Sequence, residues 1–137
     1  MYLLDTNVVS ELRRLRPHGA VTAWIEGQPN DALHLSAVTI CEFQAGIEIM
    51  REKDQHKAAE IEAWLERVAS TFNILAMDAQ CFRTCSKFMH RRSKAHFEDG
   101  MIAATAAVHN LIVATRNVRD FEPFGVQVFN PFTGKDT

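Results

Sequence analysis

The sequence predicts a single α/β domain with a mostly parallel, twisted central sheet flanked by helices. Short apolar runs of strand length, such as Tyr2-Leu3-Leu4 and Leu111-Ile112-Val113-Ala114-Thr115, recur along the chain. Longer segments between them carry apolar residues at helical spacing, and strands separated by helices need the crossover connections of a parallel sheet. The first run ends directly on Asp5. A strand that runs into an acid places it at the strand's carboxyl end, where open α/β sheets form their ligand crevice.

In chain order, residues 2–5 read as the first strand. A helix over about 8–16 follows, capped by Thr6 or Asn7 and ended by Pro17 and Gly19. A short helix over about 20–27 carries Trp24 and Ile25, and Ala32-Leu33-His34-Leu35-Ser36 is a short strand. In the next helix Ile40, Phe43, Ile47 and Met50 form one stripe, and the segment from Asp54 to Ser70 repeats it with Ala58, Ile61, Leu65 and Val68. Asn73-Ile74-Leu75-Ala76-Met77 is a strand, after which Asp78 caps a helix over about 79–93. A helix over about 98–109 leads into the strand 111–115, and Val126-Gln127-Val128-Phe129 is the last strand.

With 137 residues, 47% hydrophobic and 23% charged, the chain can bury a core without disulfides, and one domain over 1–137 is expected. A formal net charge of −2 excludes a generally basic nucleic-acid binder, so any such contact must come from a local patch. Cys41, Cys81 and Cys85 are odd in number and lack zinc spacing. Cys81 and Cys85, four apart in a helical pattern, read as small buried thiols, which points to a reducing cytoplasm. Asp5 and Glu11 interrupt the N-terminal apolar stretch, so no signal peptide is expected, and no apolar run is long enough to span a membrane.

The chemistry gathers in four places. Asp5 ends the first strand, Glu42 lies one turn into the helix after the second, and Asp99 opens the helix before 111–115. The segment Thr115-Arg116-Asn117-Val118-Arg119-Asp120-Phe121 leaves that strand. Strand exits of a parallel sheet share one edge, so these acids can converge. Clustered carboxylates need a cation to stay ionised together, and oxygen-only ligands suit Mg²⁺ or Mn²⁺ with substrate phosphate. The chemistry this implies is hydrolysis of a phosphodiester.

Taken in order, Leu3-Leu4-Asp5-Thr6-Asn7 with Val9-Ser10-Glu11-Leu12, the run Ser36–Glu42, the run Asp99–Ala106, the run Thr115–Phe121 and Phe129-Asn130-Pro131-Phe132 resemble the PIN-domain ribonucleases. Within them the chain is similar to the VapC toxins of type II toxin–antitoxin systems, in the FitB-like branch. The resemblance implies a PIN fold and an endoribonuclease toxin that hydrolyses RNA through metal-activated water. Its implied partners are a cognate VapB-type antitoxin, an RNA substrate and a second copy of itself, with the toxin–antitoxin complex binding DNA through the antitoxin. It also implies an apolar groove for an antitoxin segment, and no membrane partner. By position Asp5, Glu42 and Asp99 correspond to the family's acidic metal ligands. Many relatives carry an aspartate where this chain has Asn117, so either Asn117 or Asp120 completes the shell.

Other roles stay open at this level. Thr6, Asn7 and Thr115 are caps and strand ends, or polar groups that orient the carboxylates. Glu98 complements the positive end of its helix. The basic run Arg83, Lys87, His90, Arg91, Arg92, Lys94 and His96 is a solvated face or an RNA phosphate contact, as is the patch Arg13, Arg14 and Arg16. The tryptophans and phenylalanines fall mostly in helical stripes and suit core packing or a subunit interface, and the histidines show no metal-ligand pattern. Two rival readings remain: a non-catalytic PIN-like module that grips nucleic acid or a partner, and a phosphatase of the haloacid-dehalogenase type. The latter needs an acid where Asn7 stands.

Overall fold

Residues such as Leu3 and Leu4 have no exposed surface, and neighbours in a strand point to opposite faces, so the sheet they build must be covered on both sides. The computed structural model describes residues 1–136; residue 137, the last of the expected domain, lies outside the described residues. Its strands are β1 (Tyr2–Leu4), β2 (Leu33–Ser36), β3 (Asn73–Leu75), β4 (Ile112–Ala114), β5 (Val128–Asn130) and β6 (Lys135–Asp136). The helices are α1 (Thr6–Glu11), α2 (Gly19–Glu26), α3 (Ala37–Lys53), α4 (Gln55–Thr71), α5 (Ala79–Phe88), α6 (Phe97–His109) and α7 (Val118–Phe121).

The sheet order is β3-β2-β1-β4-β5-β6. All pairings are parallel except that of the edge strand β6, which runs antiparallel to β5. From β1 the chain builds outward through β2 and β3, then returns to the other side of β1 for β4 and β5. The reversal opens a crevice between β1 and β4, in register through Leu3↔Val113 and Leu4↔Ala114. The residues next in line are Asp5 and Thr115, so the crevice floor is polar by register.

Two cores flank the sheet. On one face Leu4, Leu33 and Leu35 meet Val8, Val9, Ile47, Leu65 and Val68, with Trp64 edge-on to Phe43 at 5.1 Å. On the other Leu3, Val113 and Val128 meet Ile102, Ala103, Ala106 and Phe121. Cys81 and Cys85 are buried, as expected, and Cys41 is exposed. Among the described residues no helix is long and apolar enough to cross a membrane.

Helix ends depart from the sequence reading where distant groups decide them. The cap of α1 is Asp5, whose carboxylate accepts the Thr6 N–H at 2.8 Å, so the helix starts two residues early. It stops at Glu11, five residues before the expected end. The buried Glu11 carboxylate accepts the His18 N–H at 2.9 Å and pairs with Arg14 at 3.2 Å, turning the chain back. Helix α5 likewise ends at Phe88, because Arg92 donates to the Phe88 carbonyl at 2.7 Å and the Pro123 carbonyl at 2.9 Å. Arg91, with φ of 60°, makes the reversal.

The contact between α5 and α6 is close at Gly100, where an added Cβ would stand 2.6 Å from the Met89 sulfur. Asp99 therefore sits on a helix turn pressed directly against α5.

Candidate active site

Asp5 is only 5% exposed at the carboxyl end of β1. Its Oδ1 accepts the Thr6 N–H at 2.8 Å. Its Oδ2 accepts the Thr115 hydroxyl at 2.8 Å and the Asn7 amide at 3.2 Å. Thr115 Oγ1 in turn accepts the Asn117 N–H at 2.9 Å, and Asn7 Oδ1 accepts the Arg116 N–H at 3.1 Å. Two segments more than a hundred residues apart in sequence are thus tied across the switch point, and the Asp5 carboxylate is fixed in orientation. Thr6, Asn7 and Thr115 all belong to this net.

Burial raises the Asp5 carboxyl above its ordinary range, more than its hydrogen bonds lower it, and the charge of Asp120 adds to the rise. Glu42, reached from α3, is pushed up to about 7 by burial first, then by the charges of Glu98 and Asp5. Asp99, in the first turn of α6, is pushed up to about 6 by burial and by Asp5 and Asp120, with His96 opposing. Asp5 thus acts electrostatically on both Glu42 and Asp99, and Asp120 on both Asp5 and Asp99. Glu98, in the same first turn of α6, also acts on Glu42 and raises its carboxyl.

The two candidates for the fourth position differ. Asp120 lies on α7 close enough to act on both Asp5 and Asp99, whereas Asn117 enters through its backbone N–H and its side chain makes no hydrogen bond to the acids. The buried Thr6 hydroxyl lies beside Glu42 and opposes the rise of its carboxyl. Among the described residues no three acid, histidine or cysteine side chains converge tightly enough to hold an ion alone. Oxygen donors that do not converge tightly suit a small hard cation that keeps several of its waters.

The basic run divides. Arg92 is spent on backbone carbonyls and lies over the Phe124 ring at 5.1 Å. Arg83 and Lys87 line an open depression on α5, and His96 faces Asp99. In the other patch Arg14 is paired with Glu11 and Arg13 lies 6.0 Å over Trp64. The sequence reading missed Glu98 in the crevice and Glu11 as a buried structural acid. The only local signal for Glu11 was its position among apolar residues on α1.

A pH dependence follows. The folded-state values of Glu42, about 7, and Asp99, about 6, lie above those of an unfolded carboxyl, about 4. Between these limits the unfolded chain gives up protons that the native state keeps, so stability in EDTA falls as pH rises from about 4 to about 7. Thermal melts should show that fall in the wild type and a flatter curve in Glu42→Gln. Parallel curves for the two proteins would contradict the coupling.

The PIN domain family model matches residues 2–124. The chain is 34% identical to the VapC ribonuclease Y4jK of Sinorhizobium fredii, over 96% of this chain and 98% of that relative. It superposes on FitAcB from Neisseria gonorrhoeae with a TM-score of 0.84 at 34% identity, over 96% of this chain and 99% of that one. For FitAB bound to the IR36 DNA fragment the TM-score is 0.83 at 33% identity, over 96% of each chain.

Proposed function

The chain belongs to the PIN-domain family, among its VapC-type members, and from that premise we propose that it is the endoribonuclease toxin of a type II toxin–antitoxin pair, cutting RNA with a divalent cation held by Asp5, Glu42 and Asp99. The observation that carries this reading is the buried Asp5 at the sheet's switch point, facing other acids with raised proton affinity. Such a cluster is costly in water alone and is relieved by a cation.

Mg²⁺ or Mn²⁺ suits the oxygen donors. When bound, the ion supplies positive charge that acidifies a water and offsets charge on the phosphate oxygens. The protein's part is orientation. Thr115, Asn7 and the Thr6 N–H hold Asp5 so that one set of lone pairs faces the crevice. Asp120 is the better fourth oxygen donor, because its charge reaches both Asp5 and Asp99. Asn117 serves instead to hold Thr115 through its backbone. No nucleophilic side chain is required, so the exposed Cys41 thiol is dispensable.

The cognate VapB-type antitoxin has a fitting surface. Leu12, Leu15, Ile61 and Trp64 line a groove of about 510 Å³ between the α1 exit and α4, rimmed by Arg13, Lys57 and Arg67 with one acid, Glu60. An apolar segment bearing acidic residues matches it, and the paired complex would bind DNA through the antitoxin. Exposed Ile49 and Phe97 offer contacts for a second copy of the chain. The compartment this reading requires is the cytoplasm, where RNA and reduced thiols coexist. Against the phosphatase reading, Asn7 is a neutral amide committed to Asp5 and Arg116.

The test is cleavage of total cellular RNA by the antitoxin-free chain in Mg²⁺, Mn²⁺ or EDTA. Discrete fragments that appear only with the cation are expected. Intact RNA in every lane from folded protein would overturn the nuclease and favour the binding module.

A further inference from the structure

The Phe129–Phe132 motif has no part in the acid cluster, yet it ends beside it. Asn130 Oδ1 accepts the Phe132 N–H at 2.9 Å, and the Asn130 carbonyl accepts from Thr133 at 3.2 Å and Gly134 at 2.8 Å. Gly134 closes this turn at φ of 74°, a value that glycine alone reaches without strain. The turn seats the Phe132 ring, 8% exposed, against the edge of His18 at 5.1 Å. Over that ring, at 4.0 Å from its centroid, lies the guanidinium of Arg116.

Arg116 is held at both ends. Its backbone N–H is fixed by Asn7, which also binds Asp5, and its side chain rests on Phe132. Despite the acids nearby, neither Arg116 nor Arg119 forms an ion pair among the described residues. With Asn117, Asp120 and Asn130 these arginines line an open depression of about 400 Å³ at the rim of the crevice. A cation steadied by an aromatic face keeps its N–H donors for oxygen ligands, and a guanidinium matches the paired oxygens of a phosphate. The crevice itself repels polyanions, so a strand entering it needs cationic anchors on the rim.

We propose that Arg116, seated on Phe132, binds a backbone phosphate of the RNA strand next to the one being cut. The proposal rests on the nuclease reading for the identity of the strand. Phe132 is the positioning residue: it never meets the RNA and acts by holding the guanidinium over the depression.

The experiment measures binding of a single-stranded RNA oligonucleotide of mixed sequence by fluorescence anisotropy in EDTA, across a salt series, alongside KM and kcat in Mg²⁺. Arg116→Ala should weaken binding roughly tenfold and flatten the log–log salt slope by about 0.7, the loss of one phosphate contact. KM should rise with kcat largely kept, and Arg116→Lys should recover part of the affinity. Phe132→Leu, which keeps an apolar side chain in the core, should lose less affinity and nothing further in the Arg116→Ala background. Unchanged affinity and slope in folded Arg116→Ala would overturn the proposal. So would full additivity of the two substitutions, since Phe132 would then not act through Arg116. RNA binding that depends on Arg116 but is never followed by cleavage would support this subsite while removing the nuclease reading.

Discussion

Asp5→Asn is expected to reduce RNA cleavage by at least about 100-fold while leaving the protein folded. Loss of a group that merely orients a metal ligand typically costs 10–100-fold, and Asp5 is the acid on which the orienting net converges. The amide keeps an oxygen for the Thr6 N–H or the Thr115 hydroxyl, so the link between α1 and the β4 exit survives. It also removes a buried charge that burial and Asp120 disfavour. Thermal melts in EDTA at pH 8 should therefore show Asp5→Asn as stable as the wild type or more so. Thr115→Val, which leaves the charge but frees the carboxylate, should give the smaller loss. A cleavage rate near that of the wild type in Asp5→Asn would remove Asp5 from the site, and the melts separate that outcome from simple unfolding.

The legible parts of this protein were those determined by local pattern. Strand β4 (Ile112–Ala114) is apolar throughout because both faces are covered, and α4 shows its buried stripe of Ala58, Leu65 and Val68 plainly. Asp5 stood out because a strand ran straight into it. The illegible parts were decided by partners far away in sequence. Nothing near residues 12–16 announces that Glu11 will bind the His18 backbone and stop α1, or that Pro123 will help Arg92 stop α5. The same holds within the site. Glu98 and Asp99 are equivalent in the first turn of α6 until the helix is rotated about its axis. At the next residue, Gly100, the helix comes so close to Met89 that an added Cβ would stand 2.6 Å from its sulfur.

Asn117 and Asp120 flank a four-residue helix that no periodicity could reveal, and its anchor is Phe121. This side chain is the largest with no exposure, packed among Leu3, Ile102, Val113 and Val128. It immediately follows Asp120, and the Asp120 N–H bonds the Asn117 carbonyl at 3.0 Å, so the ring pins the short turn that carries the acid. Phe121→Ala should destabilise the protein by about 3–4 kcal/mol, the usual cost of deleting a buried ring whose cavity cannot close. The melting temperature should fall by roughly 10 °C for a domain of this size. Phe82→Ala, at a ring 48% exposed on α5, should cost far less and serves as the control. Activity assayed well below the melting transition carries the second half of the prediction. If Asp120 is held by Phe121 for the chemistry, the folded Phe121→Ala protein should need more Mg²⁺ for half-maximal cleavage, and Phe82→Ala should not. An unchanged Mg²⁺ requirement in folded Phe121→Ala would confine Phe121 to the core and remove the case for Asp120 as the fourth oxygen donor.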